Sequence, residues 1–198
     1  MSFTVPPPRS PLDGGLARWY EHELGWATTH GTGQPAQLVT GLRFDVLEMP
    51  TAAGRAVLRR AGTAVGPVAL MGRRMRLLVA AGSAEELPGL LDWLEWGGIA
   101  LDLAALGAGG RMTAPVPPGW SGSGTPGAAV WLRAPEPGRE VESSLPALQA
   151  VARGGAGAPC LARLVAAAAA ACHRVRLLSA RTGGPDAQQL TPQRFASS

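Results

Sequence analysis

Leu42-Arg-Phe-Asp-Val-Leu-Glu48 is the run whose reading decides the fold. In an extended chain Leu42, Phe44 and Val46 face one way while Arg43, Asp45 and Leu47 face the other. The run is therefore a strand with an acid, Asp45, set among apolar residues. Pro50-Thr51 behind it opens a helix through Arg60, with Thr51 as N-cap and Ala53, Ala56 and Val57 towards the sheet. Next, Gly66-Pro-Val-Ala-Leu-Met71 and Met75-Arg-Leu-Leu-Val-Ala-Ala81 flank Gly72, Arg73 and Arg74, the pattern of a hairpin with a tight basic turn.

Working outward, Pro88 suits the first position of a helix whose buried face carries Leu90, Leu91 and Leu94, with Gly97-Gly98 ending it. Ile99 to Leu103, Arg111 to Pro115 and Ala128 to Arg133 read as further strands of the same sheet, and strand material from Gln37 to Thr40 continues beyond Gly41 into the central run. Towards the N-terminus, Leu12, Leu16, Trp19, Tyr20 and Leu24 mark one helix face, closed by Gly25. After the Pro/Gly-rich span 115–127 come a short helix over Leu145–Ala152 and an Ala-rich helix from Cys160 to Arg176. The expectation is one α+β domain with helices packed on a mixed, largely antiparallel sheet of about five to seven strands. Residues 12–180 form the domain, 1–11 a flexible lead and 181–198 a loose tail.

Composition supports a folded chain: 46% of residues are hydrophobic and 16% charged. All 18 basic residues are arginine, a planar fork suited to phosphate and carboxylate as well as a mark of GC-rich codon usage. A net charge of +4 identifies a nucleic-acid surface only if it is clustered. Cys160 and Cys172 fall in one helix, about 18 Å apart, too far for a disulfide, so free thiols and a cytoplasmic location are expected. The N-terminus lacks signal-peptide character, and the apolar run Leu164 to Cys172 is too short to cross a bilayer, so no membrane partner is expected.

Catalytic motifs are scarce. Gly107-Ala-Gly-Gly110 lacks the spacing of a phosphate-binding loop and precedes a strand, so it reads as a turn. Cys172 and His173 project about 100° apart on a helix and form no dyad. His22 and His30 have no partner at metal-ligand spacing.

In their order and spacing, Phe44-Asp-Val-Leu-Glu48, Arg76-Leu-Leu-Val79, Gly98-Ile-Ala-Leu-Asp102 and Met112-Thr-Ala-Pro115 resemble the N-terminal domain of bifunctional primase–polymerases (prim-pol), of the archaeo-eukaryotic primase superfamily. The likeness covers residues 12–135 and is closest to the short, divergent actinobacterial type. It implies a core like that of the RNA-recognition-motif (RRM) fold. Active members carry two acids one residue apart, a phosphate-contacting histidine on the next hairpin, and a third acid on a later strand. Position by position, Asp45 matches the first acid and Asp102 the third. Leu47 stands where the second belongs and Arg76 near the histidine. Asp45 and Asp102 are then vestigial, and Mg or Mn would enter only with residual activity.

The resemblance leaves three functions open. The first is a catalytically degenerate protein that still binds nucleotide or nucleic-acid phosphate through Arg73, Arg74 and Arg76, helped by Arg55, Arg59 and Arg60. The second is a regulatory interaction module that kept the fold and lost the ligand, with the Trp120 loop as protein anchor. Here Trp131 and one of Trp93 and Trp96 belong to the core. The third is a residually active DNA primase or polymerase. For the hairpin arginines, a solvated surface and an internal Asp–Arg network filling the old metal site are the competing readings.

Overall fold

The computed structural model describes residues 11–31, 34–61, 65–120, 128–138, 141–148 and 160–182. The expected lead falls outside these residues up to position 10, as do the tail from 183 and most of the Gly/Ser loop after Trp120. In chain order the elements are α1 (Pro11–Glu23), β1 (Thr28–Thr29), β2 (Gln37–Val39), β3 (Phe44–Pro50), α2 (Thr51–Ala61), β4 (Val68–Met71), β5 (Arg74–Ala80), α3 (Ser83–Trp93), β6 (Ala104–Leu106), β7 (Arg111–Thr113), β8 (Val130–Arg133) and α4 (Leu161–Thr182).

A five-stranded sheet, ordered β6-β3-β5-β4-β8, runs through the middle of the protein, and all of its ladders are antiparallel. Its first four strands and two helices follow one another as β3-α2-β4-β5-α3-β6, the split β-α-β connectivity. Alternation along β3 divides the interior in two. Leu47 and Met49 join a core with Ala53 and Val57 of α2, Leu87 and Leu90 of α3, and Leu161, Val165 and Ala168 of α4. Phe44 and Val46 join Leu16 and Tyr20 of α1, Trp26, Leu38 and Met112 on the opposite face.

The second core is aromatic. Tyr20 and Trp26 stack with ring centroids 6.0 Å apart, and Trp26 lies 4.5 Å from Phe44. The Tyr20 hydroxyl donates to the Pro115 carbonyl at 2.6 Å and accepts from Trp131 Nε1 at 2.7 Å. Its polar atom is thus satisfied inside the core, at a net gain of about 1 kcal/mol per bond. On the helical face Gly54 lets α2 approach β5 closely, since a Cβ at that position would stand 2.1 Å from Met75 Sδ.

Several expected features differ. The strands do not form one sheet: β2 pairs with β7 and β1 in a separate three-stranded sheet. The strand expected over Ile99–Leu103 begins only at Ala104. Side chains of α4 compete for the earlier carbonyls, Arg176 Nη1 donating to Ala100 O at 2.5 Å and the Cys172 thiol reaching Asp102 O at 3.5 Å.

Helix α3 begins at Ser83, with Pro88 inside it. It stops before the two glycines, where Trp96 N donates to Leu91 O and Glu95 N to Asp92 O, with Glu95 at φ 64°. That is a Schellman ending with glutamate in the left-handed position. A 3-10 turn, Glu142–Ser144, precedes the helix expected over Leu145–Ala152; Leu145 to Ala147 are not helical, and positions 149–152 lie outside the described residues. The last helix extends to Thr182, past the boundary expected at 180.

Candidate functional site

Asp45 sits in the middle strand, fully buried on the helical face with Leu47 and Met49. Its Oδ2 accepts the Ala84 N–H at 2.9 Å, at the head of α3. Gly82, the residue before that helix, offers no side-chain cap, so the carboxylate stabilises the first turn from a neighbouring strand. The Oδ1 atom is buried without a partner. Burial raises the carboxyl pKa above its ordinary value and the charge of Glu85 adds to this, while the amides of Ala84, Gly82 and Ser83 oppose it.

Asp102 is elsewhere. It precedes β6, and continuing the β3–β6 register would place it level with Pro50, about 17 Å along the strand from Asp45. The odd-numbered Leu101, Leu103 and Ala105 pack on the helical core. Asp102, of the other parity, turns its carboxylate to Arg74, whose Nη1 donates to Oδ1 at 2.6 Å. Asp45 and Asp102, the two acids that the resemblance aligns with the family's metal site, therefore do not bring their carboxylates together on one face. Leu47 is fully buried. The residues present do not fit a two-metal centre: Asp45 is engaged by α3, the second position is core, and Asp102 lies with the arginines.

Three residues of the opposite face do converge. Glu48 stands across from Arg76 in the β3–β5 register, with Arg74 two residues further along β5. Glu48 Oε2 accepts from Arg76 Nε at 2.6 Å, and Oε1 accepts from Arg74 Nε at 3.1 Å. Arg76 also donates from Nη1 to Met71 Sδ at 3.6 Å. Two guanidinium groups thus meet two carboxylates, Glu48 and Asp102, and the set is neutral. Glu48 is 18% exposed and Asp102 61%, so most of the desolvated charge pairing centres on Glu48. At Arg74 burial acts against the charged form, yet Asp102 and Glu48 outweigh it and hold the pKa above its ordinary value.

Arg73, the remaining hairpin arginine, is exposed in the turn, its carbonyl taken by Thr51 N at 2.9 Å at the head of α2. Arg55, Arg59 and Arg60 of that helix are exposed too. Strand alternation turns Glu48 away from Asp45, so it stands outside the three site positions that the sequence resemblance implies. The usable signal was that an antiparallel pairing of β3 with β5 places Glu48 among the even-numbered arginines.

Among the tryptophans, Trp93 is 73% exposed on α3, and Trp96 is half-buried beside the His173 ring at 5.5 Å. Trp131 is half-buried over Tyr20 and Trp26. Trp120, expected as the exposed anchor, is half-buried with its ring beside Gly15 of α1. The loop at 121–127 lies outside the described residues.

Among the described residues no cluster of three or more His, Cys, Asp or Glu is placed to hold a metal ion, and no helix is long and apolar enough to cross a membrane. The chain matches no family model, no curated protein and no solved structure.

Proposed function

We propose that this chain is a regulatory interaction module on a primase–polymerase-like fold, with no nucleotidyl transfer of its own. One observation carries the reading: Glu48 occupies the guanidinium groups of both Arg74 and Arg76. A phosphate entering there has to displace an internal carboxylate from a partly desolvated pair, which sets a barrier that an open arginine fork does not have. The split β-α-β connectivity and the β6-β3-β5-β4 order support the RRM-like core on which the reading builds.

The test is a titration of nucleoside triphosphate, with Mg or Mn, and of a labelled single-stranded DNA. The expected result is no saturable nucleotide binding and no incorporation, while Arg74→Ala with Arg76→Ala lowers the unfolding midpoint. Saturable nucleotide binding by the wild type that disappears in this double variant overturns the proposal.

A second reading, nucleic-acid phosphate binding, is favoured by the exposure of Arg73, Arg55, Arg59 and Arg60 on adjoining elements. It requires DNA binding that weakens with salt and with Arg73→Ala plus Arg55→Ala.

A further inference from the structure

The two helices of the split β-α-β unit carry opposite charges on their outer faces. In α2 the exposed residues are Ala52, Arg55, Arg59 and Arg60, and Thr51–Ala61 holds no acid. In α3 they are Glu85, Glu86, Pro88, Gly89, Asp92 and Trp93, and Ser83–Trp93 holds no base. Helical periodicity puts Glu85, Gly89 and Asp92 in one row and Glu86 and Trp93 beside it. A Cβ at Gly89 would meet nothing within 4 Å, so the row has open space at its centre. Arg55 and Arg59 are likewise one turn apart, beside the small side chain of Ala52.

Among the described residues these charged side chains form no ion pair with one another. Arg43 pairs with Glu142, and Glu48, Arg74, Arg76 and Asp102 form a set of their own, in which neither helix face takes part. Trp93, at 73% exposure, is the most exposed large hydrophobic side chain among the described residues. An indole flanked by carboxylates suits a guanidinium, which gains charge pairing and cation–π contact together.

We propose that the acidic, tryptophan-bearing face of α3 docks on the arginine face of α2 in a second copy of this chain. The proposal deepens the interaction reading above by naming the surface and its partner. The same chain supplies both complementary faces. A twofold arrangement satisfies both contacts in a closed dimer, and a one-way contact propagates into longer assemblies.

The experiment is sedimentation equilibrium on the full chain over a range of concentrations, at low and high salt. The wild type is expected to self-associate at low salt and dissociate as salt rises. Reversing one face, by Arg55→Glu with Arg59→Glu or by Glu85→Arg with Glu86→Arg, sets like charges against each other. Each is expected to weaken association on the order of a hundredfold. An equimolar mixture of the two reversed proteins restores complementarity at both contacts and is expected to associate again.

Trp93→Ala and Arg59→Ala, milder truncations at exposed positions, are expected to weaken association by about tenfold if a charge-reversed protein does not fold. A wild type that stays monomeric at low salt overturns the proposal. So does association that neither the reversals nor the truncations change, or a mixture that remains monomeric. Capture of a labelled nucleic acid by the α2 arginines in place of a second copy does the same. A monomeric wild type leaves the nucleotide titration, which tests the interaction reading itself, unaffected.

Discussion

Asp45 on β3 holds the Ala84 amide of α3 at 2.9 Å, a contact made between residues 39 apart in the chain. The carboxylate is fully buried, and one of its oxygens has no partner. Its native pKa is raised, chiefly by burial, above the unfolded value of about 4. Protonation therefore favours the folded state. The contribution is fully present below the unfolded pKa and is lost as pH rises through the folded one. Asn at this position keeps an oxygen for the Ala84 amide and does not titrate. Urea unfolding from acid to neutral pH should show Asp45→Asn gaining on the wild type as pH rises, and a gap independent of pH would count against this account.

Glu48 and Asp102 should differ in what they contribute. Glu48→Ala leaves two partly buried guanidinium groups without their shared acceptor, at an expected cost of about 1–3 kcal/mol. Asp102 is 61% exposed and serves Arg74 alone, so Asp102→Ala should cost under about 1 kcal/mol. Denaturant midpoints of the two variants check the order.

Glu95 closes α3 with φ at 64°, a conformation that costs a side chain roughly 1–2 kcal/mol. Glu95→Gly should relieve most of this and raise stability by about 1 kcal/mol, visible as an increase of a few degrees in the melting midpoint. A decrease would mean that the glutamate side chain makes a compensating contact.

The two thiols should separate by reactivity. Cys172 is buried, and burial followed by the nearby Asp102 charge pushes its pKa up to about 11. Cys160 is half-buried at the start of the same helix. A thiol reagent at mildly alkaline pH should modify Cys160 first and Cys172 only on unfolding, with peptide mapping identifying each site.

The periodic parts of this chain could be read directly. Alternation along Phe44 to Leu47, the helix faces of Leu16 and Tyr20 and of Ala53 and Val57, and the turn at Gly72 and Arg73 all express a local repeat that folding preserves. What escaped reading depends on partners distant in sequence. The start of α3 follows from a carboxylate on β3 and not from its own residues, which is why Pro88 looked like the beginning. The strand after Gly98 is shortened because Arg176 and Cys172 take the carbonyls of residues 100 and 102. At the site, arginines on one strand face were legible, but their shared acceptor depended on knowing that β3 lies beside β5. The exposure of Trp93 was illegible for a similar reason, because its surroundings are set by how α3 lies on the sheet.

The small sheet bears on the order of assembly. Neighbours β4 and β5 are joined by a two-residue turn and β3 precedes them across α2, so the β3-β5-β4 centre of the large sheet pairs between segments close in the chain, while β6 and β8 join from further away. Strand β2 must likewise wait for β7, Gln37 meeting Thr113 across the segment from β3 to β6. Closing that span costs chain entropy before any ladder bond repays it. The aromatic core under β2 and β7 is thus the late-forming half of the molecule. By the same logic it is the half that opens first, while β3, shared by both cores, keeps the remainder together.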